Sequence, residues 1–122
     1  MNNEAVVVLG ASDKAQRFSN KAIKKLKLYG HKVIPVHPRL KEIEGLPVAH
    51  DLTHVIEKVD TLTLYVGPQR SKDLIEQIIA LQPKRVIFNP GTESQDLEQQ
   101  LKEHDIAYLK ACTLIMLDTG EF

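Results

Sequence analysis

Short apolar, β-branched runs alternate with stretches of helical period from one end of the chain to the other. This constrains the fold more than any other feature. The runs are Ala5-Val6-Val7-Val8-Leu9, Lys32-Val33-Ile34-Pro35-Val36, Thr61-Leu62-Thr63-Leu64-Tyr65-Val66, Arg85-Val86-Ile87-Phe88 and Ile106-Ala107-Tyr108-Leu109. A sixth, very short strand is expected after the loop Gly45-Leu46-Pro47-Val48-Ala49. A continuous apolar run without polar alternation reads as a strand buried on both faces. Pro35 is awkward in a central strand and points to a place near a strand's end.

Between the runs lie helical signals. Ser19 or Asn20 can cap a helix carrying Ala22, Ile23, Leu26 and Tyr29, with Gly30 as its stop. Asp51 can cap a short helix with Leu52, Val55, Ile56 and Val59. Ser71 opens a helix with Leu74, Ile75, Ile78 and Ile79, and Ser94 to His104 forms a polar helix pinned by Leu97 and Leu101. The tail from Thr113 to Phe122 has no assignment. Strands alternating with helices across short loops predict an open parallel α/β sheet of five to six strands with helices on both faces. With 122 residues, the expectation is one domain over 1–122.

Charge narrows the partners. Lys plus Arg and Asp plus Glu each number 16, so the net charge is zero and there is no general electrostatic case for nucleic acid or an anionic membrane. The charge is unevenly placed, however. Residues 1–61 hold 10 basic and 7 acidic side chains, residues 62–122 hold 6 and 9, and between Lys14 and Lys41 there are nine Lys/Arg and no acid. Lys24, Lys25 and Lys27 can be a solvated helix face, whereas Lys14, Arg17 and Arg39 flank loops. One cysteine, Cys112, excludes an intrachain disulfide and suits a reducing compartment. No apolar run approaches bilayer length and the N-terminus lacks a signal-peptide pattern, so a cytoplasmic location is expected.

In such a sheet, ligands bind beyond the carboxyl ends of the strands, at the switch point between the first strand and the fourth. Four loops fall on that edge: Gly10-Ala11-Ser12-Asp13-Lys14, Val36-His37-Pro38-Arg39, Val66-Gly67-Pro68 and Asn89-Pro90-Gly91-Thr92. The first has one glycine where a dinucleotide fingerprint needs three, and its helix starts late. A single glycine still permits close backbone approach to a phosphate. On that ground Gly10→Val is expected to abolish binding and leave the fold largely intact. The second loop lacks the acid that grips an adenine ribose diol in NAD binders, and Arg39 suits an additional ribose phosphate.

These residues carry a family resemblance. Val8-Leu9-Gly10-Ala11-Ser12, then Arg17-Phe18-Ser19-Asn20, then Gly30-His31-Lys32-Val33-Ile34-Pro35-Val36-His37-Pro38, followed by Gly45 and Val48, resemble the small CoA-binding domain family. The resemblance continues through 60–66, Gly67-Pro68, Pro90-Gly91 and Cys112. It implies the Rossmann-like fold of the N-terminal domain of the succinyl-CoA synthetase alpha subunit. It further implies that Gly10, Ala11 and Ser12, with Lys14, Arg17, Ser19 and Asn20, hold the phosphates of CoA or an acyl-CoA. Val36, His37, Pro38 and Arg39 would then lie by the adenosine end. Val66, Gly67 and Pro68, with Asn89, Pro90, Gly91 and Thr92, would wall the exit of the pantetheine. The family usually has Asn at the position of His37, and often a small residue or proline near Gln16. The synthetase's phosphohistidine lies in a second domain with no counterpart here.

Other constellations are weaker. Cys112 can be a nucleophile or a packed strand-end thiol. His50 and His54 have a zinc-compatible spacing but no third ligand in view. No Ser–His–Asp order or paired carboxylates stand out. The expected function is a non-catalytic CoA or acyl-CoA binding module for a small-molecule nucleotide ligand. An NADP-type dinucleotide-binding protein and a regulatory interaction protein that has lost its ligand stay as alternatives.

Overall fold

The computed structural model describes residues 3–122. Chain order begins with strand β1 (Ala5–Leu9), helix α1 (Phe18–Leu28) and strand β2 (Lys32–Val36). A small hairpin of β3 (Glu42–Ile43) and β4 (Leu46–Pro47) follows, then a 3-10 turn at Leu52–His54 and strand β5 (Thr61–Leu64). The second half holds α2 (Pro68–Ser71), α3 (Ile75–Leu81), β6 (Arg85–Phe88), α4 (Gln95–Glu103), β7 (Ala107–Lys110) and α5 (Thr113–Thr119). The main sheet is parallel, in the order β2-β1-β5-β6-β7.

The expected third strand survives as a single parallel bridge between Val36 and Ala49. It lies outside β2, so the order is the doubly wound one with one strand reduced to a contact. That bridge explains Pro35. The Pro35 carbonyl accepts from Ala49 N–H at 3.0 Å, on the outer side of β2. N–H and C=O of one strand residue face the same way, so the missing N–H of Pro35 removes nothing from the ladder to β1.

β1 is buried on both faces, and alternate residues feed two cores. Val7 and Leu9 join Leu62, Leu64, Val86, Phe88, Ile78, Leu97 and Leu101 on the side of α3 and α4. Val6 and Val8 join Ile23, Leu26, Val33 and Leu117 on the side of α1 and α5. Each of these fully buried aliphatic side chains contributes roughly 1.5–3 kcal/mol relative to exposure. The two faces hold the strand ends, and thus the loops, in fixed register.

Several element boundaries differ from the sequence expectation. α1 starts at Phe18 with Arg17 as N-cap and no side-chain cap, because Ser19 and Asn20 lie inside the first turn and are buried. Its end is as expected: Gly30 takes φ +85°, and Gly30 and His31 N–H close on Lys27 and Leu26 carbonyls. Asp51 does cap, accepting from Thr53 N–H at 2.9 Å, but the helix stops after one 3-10 turn, and Ile56 is 92% exposed. The helix after β5 begins at Pro68 rather than Ser71, since proline at the first helical position gives up no intrahelical bond. A 3-10 turn over Lys72–Leu74 separates it from α3. The unassigned tail forms α5.

Candidate functional site

Gly10 shapes the first loop. It takes φ +89°, and a Cβ there would lie 2.8 Å from the Tyr65 carbonyl oxygen and 2.9 Å from Val66 Cγ1. The β1 loop therefore crosses the β5 loop at backbone contact distance. The expectation that Val at this position would leave the fold intact is overturned: the glycine is needed for chain-to-chain packing before any ligand is considered. Beyond it, Ala11 N–H extends the ladder to the Val36 carbonyl, and Ser12 Oγ accepts from Lys14 N–H at 3.1 Å. Asn20 Nδ2 donates to the Ser12 carbonyl at 2.9 Å. Asn20 is fully buried, so it supports the loop from behind.

The other loops meet it across a cleft of 810 Å³ at the carboxyl ends of β1, β2 and β5. Of the residues expected there, Gly10, Ala11, Ser12, Lys14, Arg17 and Ser19 line it from the first loop. Val36, His37, Pro38 and Arg39 line it from the second, Val66 and Gly67 from the third, and Pro90, Gly91 and Thr92 from the fourth. Asn20, Pro68 and Asn89 are not among the lining residues.

Asn89 has a structural task instead. It is buried, and its Nδ2 donates to Thr63 Oγ1 at 2.6 Å and to the Leu64 carbonyl at 2.8 Å. Its Oδ1 accepts from Thr113 N–H at 2.9 Å, which seats the start of α5 on the end of β6. Its carbonyl accepts from Thr92 N–H and Thr92 Oγ1, closing the turn that presents Pro90 and Gly91. Behind this turn Thr63 and Thr113 share a hydroxyl contact at 2.8 Å. Tyr65, a cleft residue, meets both through its phenol, and burial pushes that phenol up to about 12, so it stays neutral.

Residues that the sequence reading missed also line it, among them His50 and Asp51, Tyr65, and Arg70, Leu74 and Gln77. The last three stand at i, i+4 and i+7. That spacing puts them on one helical face, a signal present in the sequence. Fixed charge in the cleft is Lys14, Arg17, Arg39 and Arg70 against Asp13 and Asp51. The surplus is positive although the chain is neutral.

Three other members of the basic run serve the fold. Lys25 pairs with Asp118 at 2.5 Å, Lys27 donates to the Glu44 carbonyl, and Lys32 pairs with Glu57 at 3.3 Å. The histidine pair is divided as well. His50 lines the cleft, while His54 Nδ1 lies 2.8 Å from Asp51 Oδ1. Among the described residues no group of three His, Cys, Asp or Glu is placed to hold a metal ion, and no helix is long and apolar enough to cross a membrane.

The second loop has an unusual internal contact. His37 Nδ1 accepts from the N–H of Arg39 and of Leu40, each at 3.0 Å. Burial, then the neighbouring Arg39 guanidinium, holds its pKa below the ordinary 6.5 against the pull of Asp13. An Asn oxygen at this position can make the same two bonds, so the His is compatible with the turn that Asn builds.

Solved structures share this fold. A crystal structure of an uncharacterized protein superposes with a TM-score of 0.94 at 41% identity, covering 100% of both chains. The cell-free ID.343 protein from Thermus thermophilus gives 0.90 at 27% identity over 98% of this chain and 91% of that one. The dinucleotide forming acetyl-coenzyme A synthetase 1 of Ca. Korarchaeum cryptofilum shares the fold, at 21% identity and a TM-score of 0.78. The match covers 92% of this chain and 26% of that larger one. Residues 4–118 match the family described as the CoA binding domain, and the chain belongs to that family.

Proposed function

We propose that the protein binds CoA or an acyl-CoA in the cleft between the β1, β2, β5 and β6 loops. The observation that carries this reading is the positive cleft at the switch point in a member of the CoA binding domain family. CoA is a polyanion with an apolar-to-amide tail, and the cleft offers matching parts. Lys14 and Arg17 beside the glycine loop suit the diphosphate. Arg39, exposed at the end of β2, suits the ribose 3′-phosphate, and no acid follows β2 to grip a ribose diol. Gly67 and Gly91 line the cleft from the β5 and β6 loops, the side on which the pantetheine would leave. The cleft volume lies within the usual range for small-molecule sites, about 300–1,000 Å³.

The module presents its ligand and carries out no acyl transfer of its own. No side chain lining the cleft pairs a nucleophile with a base. Cys112 is half-buried at the start of α5 and is not a lining residue.

Calorimetric titration with CoA, dephospho-CoA, NADP and ATP tests the reading. The expected order has CoA first, and tighter binding of NADP or no binding of any of the four refutes it.

A further inference from the structure

The turn after β2 is held by a titratable side chain. His37 Nδ1 accepts from two successive backbone donors, Arg39 N–H and Leu40 N–H, both at 3.0 Å. A ring nitrogen accepts only while it is unprotonated, so the neutral ring carries its hydrogen on Nε2. Protonation converts Nδ1 from acceptor to donor. Two backbone N–H groups then face a third N–H, and both bonds to the ring are lost together.

The surroundings set where that happens. Besides burial, the groups facing the ring are Arg39 of the same turn, Asp13 from the β1 loop, Arg70 from α2 and His50 from the segment before the 3-10 turn. Only Asp13 favours the proton; the two guanidiniums and His50 oppose it. The ring is therefore neutral at neutral pH and takes its proton only below the ordinary 6.5. Arg39 and Leu40, whose N–H groups it holds, both line the cleft.

We propose that His37 is the positioning residue of this turn: neutral, it holds Arg39 and Leu40 against the cleft, and protonated it releases them, so that ligand binding at this edge is gated by a proton. The functional half of this inference rests on the cleft being the CoA site; the structural half does not.

His37→Asn keeps a side-chain acceptor that does not titrate, and His37→Ala removes it. The CoA 3′-phosphate itself goes from dianion to monoanion near pH 6, by about one proton. The informative quantity is therefore the difference between proteins. Between about pH 7.5 and about pH 5, the wild type is expected to lose about ten-fold more CoA affinity than His37→Asn, a factor in line with loss of a charge-assisted contact. His37→Ala is expected to bind weakly at both. Equal pH dependence in wild type and His37→Asn, or an affinity gain in the wild type on acidification, overturns the gating.

The ligand-free protein gives a second readout. By two-dimensional 15N NMR, the Arg39 and Leu40 amide signals are expected to titrate together below 6.5 in the wild type and stay flat in His37→Asn. Flat signals in the wild type overturn the inference whether or not CoA binds. Titrating signals in a protein that does not bind CoA overturn the reading of the cleft and leave the latch in place.

Discussion

Gly10, Gly67 and Gly91 lie in three different loops of one cleft, and a methyl group added to each meets a different fate. At position 10 it carries two costs. The backbone sits at φ +89°, where an L side chain is strained by roughly 1–2 kcal/mol. The new Cβ also lies 2.8 Å from the Tyr65 carbonyl oxygen and 2.9 Å from its carbon. Both are backbone atoms of a buried crossing and cannot rotate away, and overpacking of this kind costs about 1–3 kcal/mol. Reduced freedom of the unfolded chain returns about 0.4–1 kcal/mol. The net for Gly10→Ala is a loss of about 2–4 kcal/mol.

Gly91 has nearly the same φ, +90°, but nothing within 4 Å, so Gly91→Ala loses only about 0.5–1 kcal/mol. Gly67 has an ordinary φ of −73°, and its nearest neighbour, the Gly91 carbonyl oxygen, is 3.9 Å away. There the preference for Gly over Ala at an N-cap opposes the entropy gain, and Gly67→Ala stays within about 0.5 kcal/mol of wild type. Urea unfolding without ligand measures the series. At a slope of about 2 kcal/mol/M, Gly10→Ala lowers the midpoint by about 1–2 M and Gly67→Ala barely moves it. If Gly10→Ala unfolds alongside Gly67→Ala, the crossing of the two loops is not at contact distance and the packing argument fails.

Four further outcomes are expected. Gly67→Val puts a branched side chain on the cleft wall where the pantetheine would leave, so calorimetry shows weakened CoA binding and unchanged binding of adenosine 3′,5′-bisphosphate, which has no pantetheine. Arg39→Ala lowers CoA affinity roughly ten- to a hundred-fold, the worth of a charge-assisted bond, with dephospho-CoA affinity and urea midpoint unchanged; equal losses for the two ligands remove Arg39 from the phosphate role. His31 and His37 both have pKa values held below 6.5, chiefly by burial, so the unfolded chain binds more protons there. Urea midpoints are therefore highest above pH 6.5 and fall as pH drops through the folded values. Incubation with acetyl-CoA or succinyl-CoA, with or without ATP, releases no thiol beyond the Cys112→Ser control; sustained release that the serine variant loses makes the protein an enzyme.

What the sequence disclosed and what it withheld divide along a physical line. The strands were legible because Val6 to Leu9 and its counterparts are short runs rich in β-branched residues and closed by turn residues, a pattern that favours a buried strand. The four loops followed from the topology. Arg70, Leu74 and Gln77 were also written in the sequence, as one face of the helix after Gly67-Pro68, but the Ser71 start placed that helix one turn too late to include Arg70. Other assignments depended on long-range partners. Leu114 to Leu117 are four apolar residues in succession and carry no period. Their helix exists because Thr113 N–H is held by Asn89 Oδ1 from 24 residues away and Leu117 packs with Ile23 and Leu26.

Asn89 illustrates the same limit inside the site. An Asn-Pro-Gly turn on the ligand edge reads as a ligand donor, and only the positions of Thr63, Leu64 and Thr113 show that every hydrogen-bonding atom of its side chain is already engaged. Gly10 and His37 stand between the two cases. The glycine announced a close backbone approach and the departure from the usual Asn marked His37, but the reason for each lies in a second strand's loop or in a turn's own N–H groups. The cleft edge is thus built by residues that hold backbone: Gly10 by having no side chain at a crossing, Asn89 by bridging β5, β6 and α5, and His37 by accepting for its own turn. The charged side chains on the cleft wall are the cations Lys14, Arg17, Arg39 and Arg70 and the acids Asp13 and Asp51, with the cations in excess. On the proposed reading the four cations meet a ligand with several negative charges, and the affinity difference between CoA and dephospho-CoA then discriminates more sharply among the possible nucleotides than affinity for either one alone.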